Sequence, residues 1–204
     1  MKKVMMLLTL LGVVLLGAKP IEGGYGVGDV ATDFSLKNVD GNMVSMASYQ
    51  EAKGFIVVFT CNTCPYAKLY EKRIVELDEK YKAQGYPVIA IQPNDASLSP
   101  GDSFNEMKSN SKKKGFSFPY LLDENQNIAR VYGATRTPHV FLINKEAGKL
   151  KVAYIGAIDN NHKDETAADK KYVEDAVDAL LRSGKVPVTS TKAIGCGIKW
   201  SEEG

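Results

Sequence analysis

The stretch Phe55-Ile56-Val57-Val58-Phe59, followed by Thr60-Cys61-Asn62-Thr63-Cys64-Pro65, decides how the chain is read. Five apolar residues in a row suit a short strand buried on both faces. Beyond them, Tyr66, Leu69, Tyr70, Ile74, Leu77 and Tyr81 recur at a spacing of three and four, the stripe of an amphipathic helix reaching about Lys82. Gly85 stops it, and Pro87 to Ile91 (PVIAI) forms a second buried strand. Strand, helix and strand in this order predict a parallel pair joined by a right-handed crossover.

Downstream, a helix is expected from Ser99-Pro100, with Asp102 three after its cap, to the lysine run before Gly115. A short helix follows over Gln126 to Tyr132. His139 to Asn144 (HVFLIN), a turn at Lys145–Gly148 and Leu150 to Ile155 predict an antiparallel hairpin, and Asp169 to Arg182 a last helix. Upstream, Phe34 to Val44 reads as a small hairpin turned at Asp40-Gly41. The sum is an α/β domain with a mixed sheet and helices on both faces.

Cys61 and Cys64 fall where the first strand hands over to the helix. Cysteines three apart in a first helical turn can form a disulfide. The unpaired N–H groups and positive dipole end of a helix favour a thiolate. Such placement lowers a thiol from about 8.5 into a range of roughly 3.5–7.5. Cys61, at the mouth, is the expected nucleophile, and Cys64 the sulfur that resolves the mixed disulfide. Pro65 fits a first turn that needs no N–H. A structural Cys61–Cys64 bond would close a tiny loop and constrain little. A metal site would need further ligands, with His139 the available candidate, so no metal and no cofactor is assigned. Cys196 is odd in number and is read as a small buried, inert residue, a third redox partner or an intermolecular bridge being the alternatives. Trp200, Ile194 and Ile198 would anchor its tail. His162, Glu71 and Asp123 are read as surface or capping residues.

The chain starts Met1-Lys2-Lys3, then runs uncharged from Val4 to Leu16 before Gly17-Ala18. This is the layout of a signal peptide, short of the about 20 residues that a spanning helix needs. Residues 1–18 are thus assigned to a signal peptide, 19–28 to a linker, 29–184 to the domain and 185–204 to a C-terminal tail. The protein is expected to be periplasmic or secreted, a retained N-terminal anchor being the alternative. Lys and Arg number 26 against 24 Asp and Glu, and loss of Lys2 and Lys3 makes the balance even. That gives no electrostatic case for nucleic acid or an anionic membrane surface. Composition, at 44% apolar and 25% charged, is globular and excludes a disordered chain or a disulfide-dense mini-protein.

FTCNTCPYAKLYEKRI, GFSFPYLLDENQNIARVYGATRTPHVFLIN and the closing AIGCGIKW together resemble the redoxin branch of the thioredoxin superfamily, related to AhpC/TSA peroxiredoxins. The resemblance implies a thioredoxin fold with an N-terminal β-hairpin extension. It also implies a cis Pro138 after Thr137, in a loop that lies against the cysteines and offers backbone groups to an extended substrate. Arg136 would then stand near the sulfurs and favour the thiolate; a surface arginine is the alternative. In peroxiredoxins Cys64 would hold the peroxidatic position, but Cys61 stands where they carry Thr, so the dithiol is complete. The expected activity is therefore thiol:disulfide exchange with protein disulfides or dithiols, served by an upstream redox partner. A peroxidase acting through Cys64, and a metal-binding or interaction module on the same fold, are the rivals. Oligomeric state is not addressed by the sequence.

Overall fold

The computed structural model describes residues 23–182 and 184–202. The signal-peptide reading of residues 1–18 lies outside them. Elements follow in the order β1 (Leu36–Asn38), β2 (Met43–Val44), β3 (Gly54–Phe59), α1 (Pro65–Tyr81), β4 (Val88–Gln92), α2 (Phe104–Lys114), β5 (Tyr120–Leu122) and α3 (Asn127–Tyr132). Then come β6 (Arg136–Thr137), β7 (His139–Glu146), β8 (Lys149–Gly156), α4 (Tyr172–Leu181) and β9 (Cys196–Gly197). Seven strands form one mixed sheet, ordered β2-β1-β5-β4-β3-β7-β8. β3 pairs parallel with β4 and antiparallel with β7, which places the strand that leads into the cysteines inside the sheet.

All six residues of β3 are buried, because the sheet is covered on both sides. Alternation sends Ile56 and Val58 into one cluster with Tyr70, Ile74, Leu77 and Tyr81 of α1 and Val173, Ala176 and Val177 of α4. Phe55, Val57 and Phe59 enter the other, with Ala129 and Tyr132 of α3 and Phe34 from the N-terminal segment. A strand with no polar face and helices with one apolar stripe have no other way to remove that area from water.

Several expectations are refined. The helix expected from Ser99 is broken: Pro100–Asp102 is a single 3-10 turn, Ser103 is extended, and α2 starts at Phe104. The cause is Asp102, whose side chain turns away to bind the cysteine loop. β5 goes unsignalled in the sequence, since three residues are too few for a period. Glu71 is buried, not a surface group, with Lys114 at 2.7 Å. His162 is half-buried with its ring 5.0 Å from that of Tyr66. Asp123 is buried and caps α3, accepting the Ala129 N–H at 2.7 Å and that of Ile128 at 3.3 Å.

Candidate functional site

Phe59 ends β3, and Thr60 to Thr63 form a turn before α1. Cys64 is the N-cap of α1, with Pro65 at the first helical position and the first intrahelical bond running from Lys68 N–H to the Cys64 carbonyl at 3.1 Å. The sequence reading put Cys61 at the helix mouth and Cys64 a turn inside. The structure moves the helix start by three residues, so Cys64 stands at the positive end of the dipole and Cys61 lies in the turn before it.

Both sulfurs meet Thr137. Cys61 Sγ is 3.2 Å from the Thr137 hydroxyl, and Cys64 Sγ is 3.2 Å from the Thr137 carbonyl oxygen. The Thr137–Pro138 peptide is cis. Cys64 is joined to Cys196 in a disulfide, with Cα atoms 5.9 Å apart, leaving Cys61 as a buried thiol. This corrects the reading of Cys196 as inert. No local sequence rule could show the partnership, since 132 residues separate the two cysteines. The tail brings them together: β9 pairs antiparallel with β6, setting Thr137 opposite Cys196 and Arg136 opposite Gly197. Arg136 is exposed, and its Nη1 donates to the Gly195 carbonyl at 3.0 Å, so the guanidinium braces the tail.

The turn is held by a residue that the sequence reading placed in a helix cap. Asp102 is fully buried, and its Oδ1 accepts the N–H groups of Asn62 at 2.7 Å and Thr63 at 3.0 Å. Its Oδ2 accepts the Thr63 hydroxyl at 2.7 Å, the Ser99 hydroxyl at 2.6 Å and Asn94 Nδ2 at 2.9 Å. Asn62 is fixed in turn, donating to the Gly101 carbonyl and accepting from Tyr120 and Asn110. A buried carboxylate with five donors is a stable arrangement because each lone pair lost from water is replaced.

These contacts reverse the expected acidity of Cys61. Burial pushes its thiol up, and the Asp102 carboxylate pushes the same way. The Thr137 hydroxyl and the Cys64 and Thr63 N–H groups favour the thiolate but are outweighed. A thiolate removed from water needs a positive partner. Here the charge that acts on it is negative, the Asn62 N–H is taken by Asp102, and the Thr63 N–H is shared with that carboxylate.

His139 starts β7 beside the site. Its Nδ1 accepts the Thr135 N–H at 3.4 Å, and burial, with Arg136 adding, pulls its pKa down to about 4. It is therefore neutral and structural. Among the described residues no group of three or more His, Cys, Asp or Glu side chains could hold a metal ion. A depressed histidine stabilises the fold above its unfolded value of about 6.5, and that stability is lost as pH falls through the folded value. Protonating His139 therefore costs about 3 kcal/mol more in the fold than in the unfolded chain. Denaturant titration should show wild-type stability falling between those two pH values, and His139→Asn should flatten that fall. An equal pH slope in both proteins would contradict it.

A mixed sheet with helices on both faces, two cysteines at a strand-to-helix junction and a cis proline facing them define a thioredoxin fold. The AhpC/TSA family matches residues 27–153, and the chain belongs to that family. An uncharacterized conserved protein of Geobacillus kaustophilus is similar over its whole length, with 33% identity, 93% of this chain covered and a TM-score of 0.81. A hypothetical protein of Sinorhizobium meliloti has 31% identity and a TM-score of 0.80, covering 88% of this chain and 97% of its own. The thiol-disulfide oxidoreductase ResA of Halalkalibacterium halodurans is 27% identical over 125 residues, which are 61% of this chain and 66% of the relative, so the likeness stops short of two thirds of ResA. Among the described residues no helix is long and apolar enough to cross a membrane.

Proposed function

We propose that this chain is an exported thiol:disulfide oxidoreductase that exchanges disulfides with protein thiols through Cys61 and Cys64. One observation carries the reading: both sulfurs lie 3.2 Å from atoms of the same residue, Thr137, at the exit of an interior strand. Cysteines gathered on one residue can exchange with each other and with a third sulfur. In the reducing direction the Cys61 thiolate attacks a client disulfide, and the electron pair leaves on one client sulfur. The Cys64 thiolate then attacks Cys61 Sγ, forms the Cys61–Cys64 bond and releases the second client sulfur as a thiolate that takes up a proton. An upstream dithiol or disulfide partner resets the pair. The likeness to ResA supports the class of substrate, a protein disulfide or dithiol. Residues 1–18 supply the export signal, with a retained N-terminal anchor as the alternative.

A second reading is favoured by the position of Cys64. It is the sulfur at the helix dipole, and it is already joined to a second cysteine that could resolve a Cys64 sulfenate. Insulin-disulfide reduction and peroxide consumption separate the two. Exchange predicts that wild type reduces insulin and that Cys61→Ser and Cys64→Ser do not. A Cys61→Ser protein that consumes peroxide at the wild-type rate, beside a wild type inactive on insulin, overturns the first reading. The N-terminal mass of the chain recovered outside the cytoplasm tests export, and a mass that includes Met1 would point to the anchor.

A further inference from the structure

The tail is a strap laid across the sulfurs and fixed at both ends. Upstream, the Ile155 N–H donates to the Thr189 carbonyl at 3.1 Å and the Thr191 N–H to the Ile155 carbonyl at 3.0 Å. The Thr191 hydroxyl lies 2.6 Å from that of Tyr154 and accepts the Ala157 N–H at 3.0 Å. Downstream, the Lys199 carbonyl accepts from the Asp95 N–H at 2.9 Å and from Gln126 Nε2 at 2.8 Å, while the Lys199 N–H donates to Asn94 Oδ1 at 2.9 Å. Between these anchors Lys192-Ala193-Ile194-Gly195-Cys196-Gly197-Ile198 crosses the site.

Glycine flanks Cys196 on both sides, for different reasons. A Cβ on Gly195 would lie 2.2 Å from the Thr137 carbonyl oxygen, so only glycine lets the strap come this close. A Cβ on Gly197 would meet nothing within 4 Å, so no contact demands glycine there and its effect is backbone freedom next to the cysteine. The strap also closes the site. Cys61 and Cys64 are each 3% exposed, and β6 has β9 as its sheet partner. An extended client bringing a sulfur to this pair would use the same β6 edge, the usual geometry of strand addition.

We propose that Cys196 is a third redox cysteine of this centre, held by the strap in the strand position that a client takes, and that Cys61 exchanges it off Cys64 to uncover the site. The proposal rests on the thiol-exchange reading of Cys61 and Cys64. The step balances within the chain. The Cys61 thiolate attacks Cys64 Sγ; the Cys61–Cys64 bond forms as the Cys64–Cys196 bond breaks. The electron pair goes to Cys196 Sγ, which takes up the proton that Cys61 released. One disulfide and one thiol are present before and after, so no outside oxidant or reductant is used. Released from its bond, the seven-residue span between anchors gives up its β6 pairing and opens locally without undocking the rest of the tail.

Prolonged alkylation of the air-oxidised full chain with N-ethylmaleimide, without any client, tests this by mass-spectrometric mapping of label and linkage. The buried Cys61 thiol labels slowly, whereas a released Cys196 is trapped. Label is expected to accumulate on Cys196 while the linkage moves from Cys64–Cys196 to Cys61–Cys64, faster at alkaline pH as Cys61 ionises. Cys61→Ser should keep Cys64–Cys196 and leave Cys196 unlabelled. Gly195→Ala, which cannot close against Thr137, should label Cys196 faster than wild type. Label on Cys61 alone overturns the proposal, as does equal labelling of Cys196 in wild type and Cys61→Ser. Since no client is present, a chain that fails to reduce insulin can pass this test, and one that reduces insulin can fail it.

Discussion

Dithiothreitol is expected to lower the unfolding free energy by about 3–5 kcal/mol, through loss of the Cys64–Cys196 bond. The size follows from loop length. This bond spans 132 residues, and a cross-link over such a span removes a large share of the freedom of the unfolded chain. A bond between Cys61 and Cys64 spans three residues and constrains by only about 2 kcal/mol on the same relation. Cys196→Ser without reductant should therefore lose much of the same stability, and dithiothreitol should then move it by no more than the about 2 kcal/mol of a Cys61–Cys64 bond. Urea titration with and without reductant measures both. A wild-type midpoint indifferent to reductant would mean that the tail is not cross-linked to the domain.

Asp102→Asn should cost at least about 3 kcal/mol and acidify Cys61 at the same time. The carboxylate accepts from two backbone N–H groups, two hydroxyls and one amide, and it is fully buried. An asparagine of the same shape turns an NH2 group toward some of these donors, so buried polar groups face each other unpaired. The negative charge also disappears from beside Cys61. Burial remains the larger cause of the raised thiol, but the contribution of Asp102 is removed, and the thiol titrates lower. Reduced wild type and Asp102→Asn can be compared by the pH dependence of Cys61 alkylation, alongside denaturant stability. A variant of wild-type stability whose Cys61 titrates no lower would show that Asp102 does not organise the turn.

Much of the fold is legible because it repeats. Phe55–Phe59 is apolar throughout and short, as an interior strand is. The α1 stripe recurs over several turns, and Gly133 and Gly85 stop their helices with positive φ. β5 is invisible because three residues carry no period; it is a strand because β1 and β4 stand on either side of it. The sequence places the start of α1 three residues early because Cys61-Asn62-Thr63 is compatible with a first helical turn. A carboxylate forty residues away takes the Asn62 N–H and holds a non-helical turn instead.

The sequence alone determined the α/β class, the strand-to-helix junction and the presence of two cysteines there, because these depend on neighbours along the chain. Tertiary structure decided which sulfurs are bonded, which thiol is buried and what sets its acidity. Those depend on Thr137, Asp102 and the strap around Cys196, groups distant in sequence that only the folded chain brings together. A pKa responds to charge and solvent within a few ångströms, and no spacing rule reports what a folded chain places there.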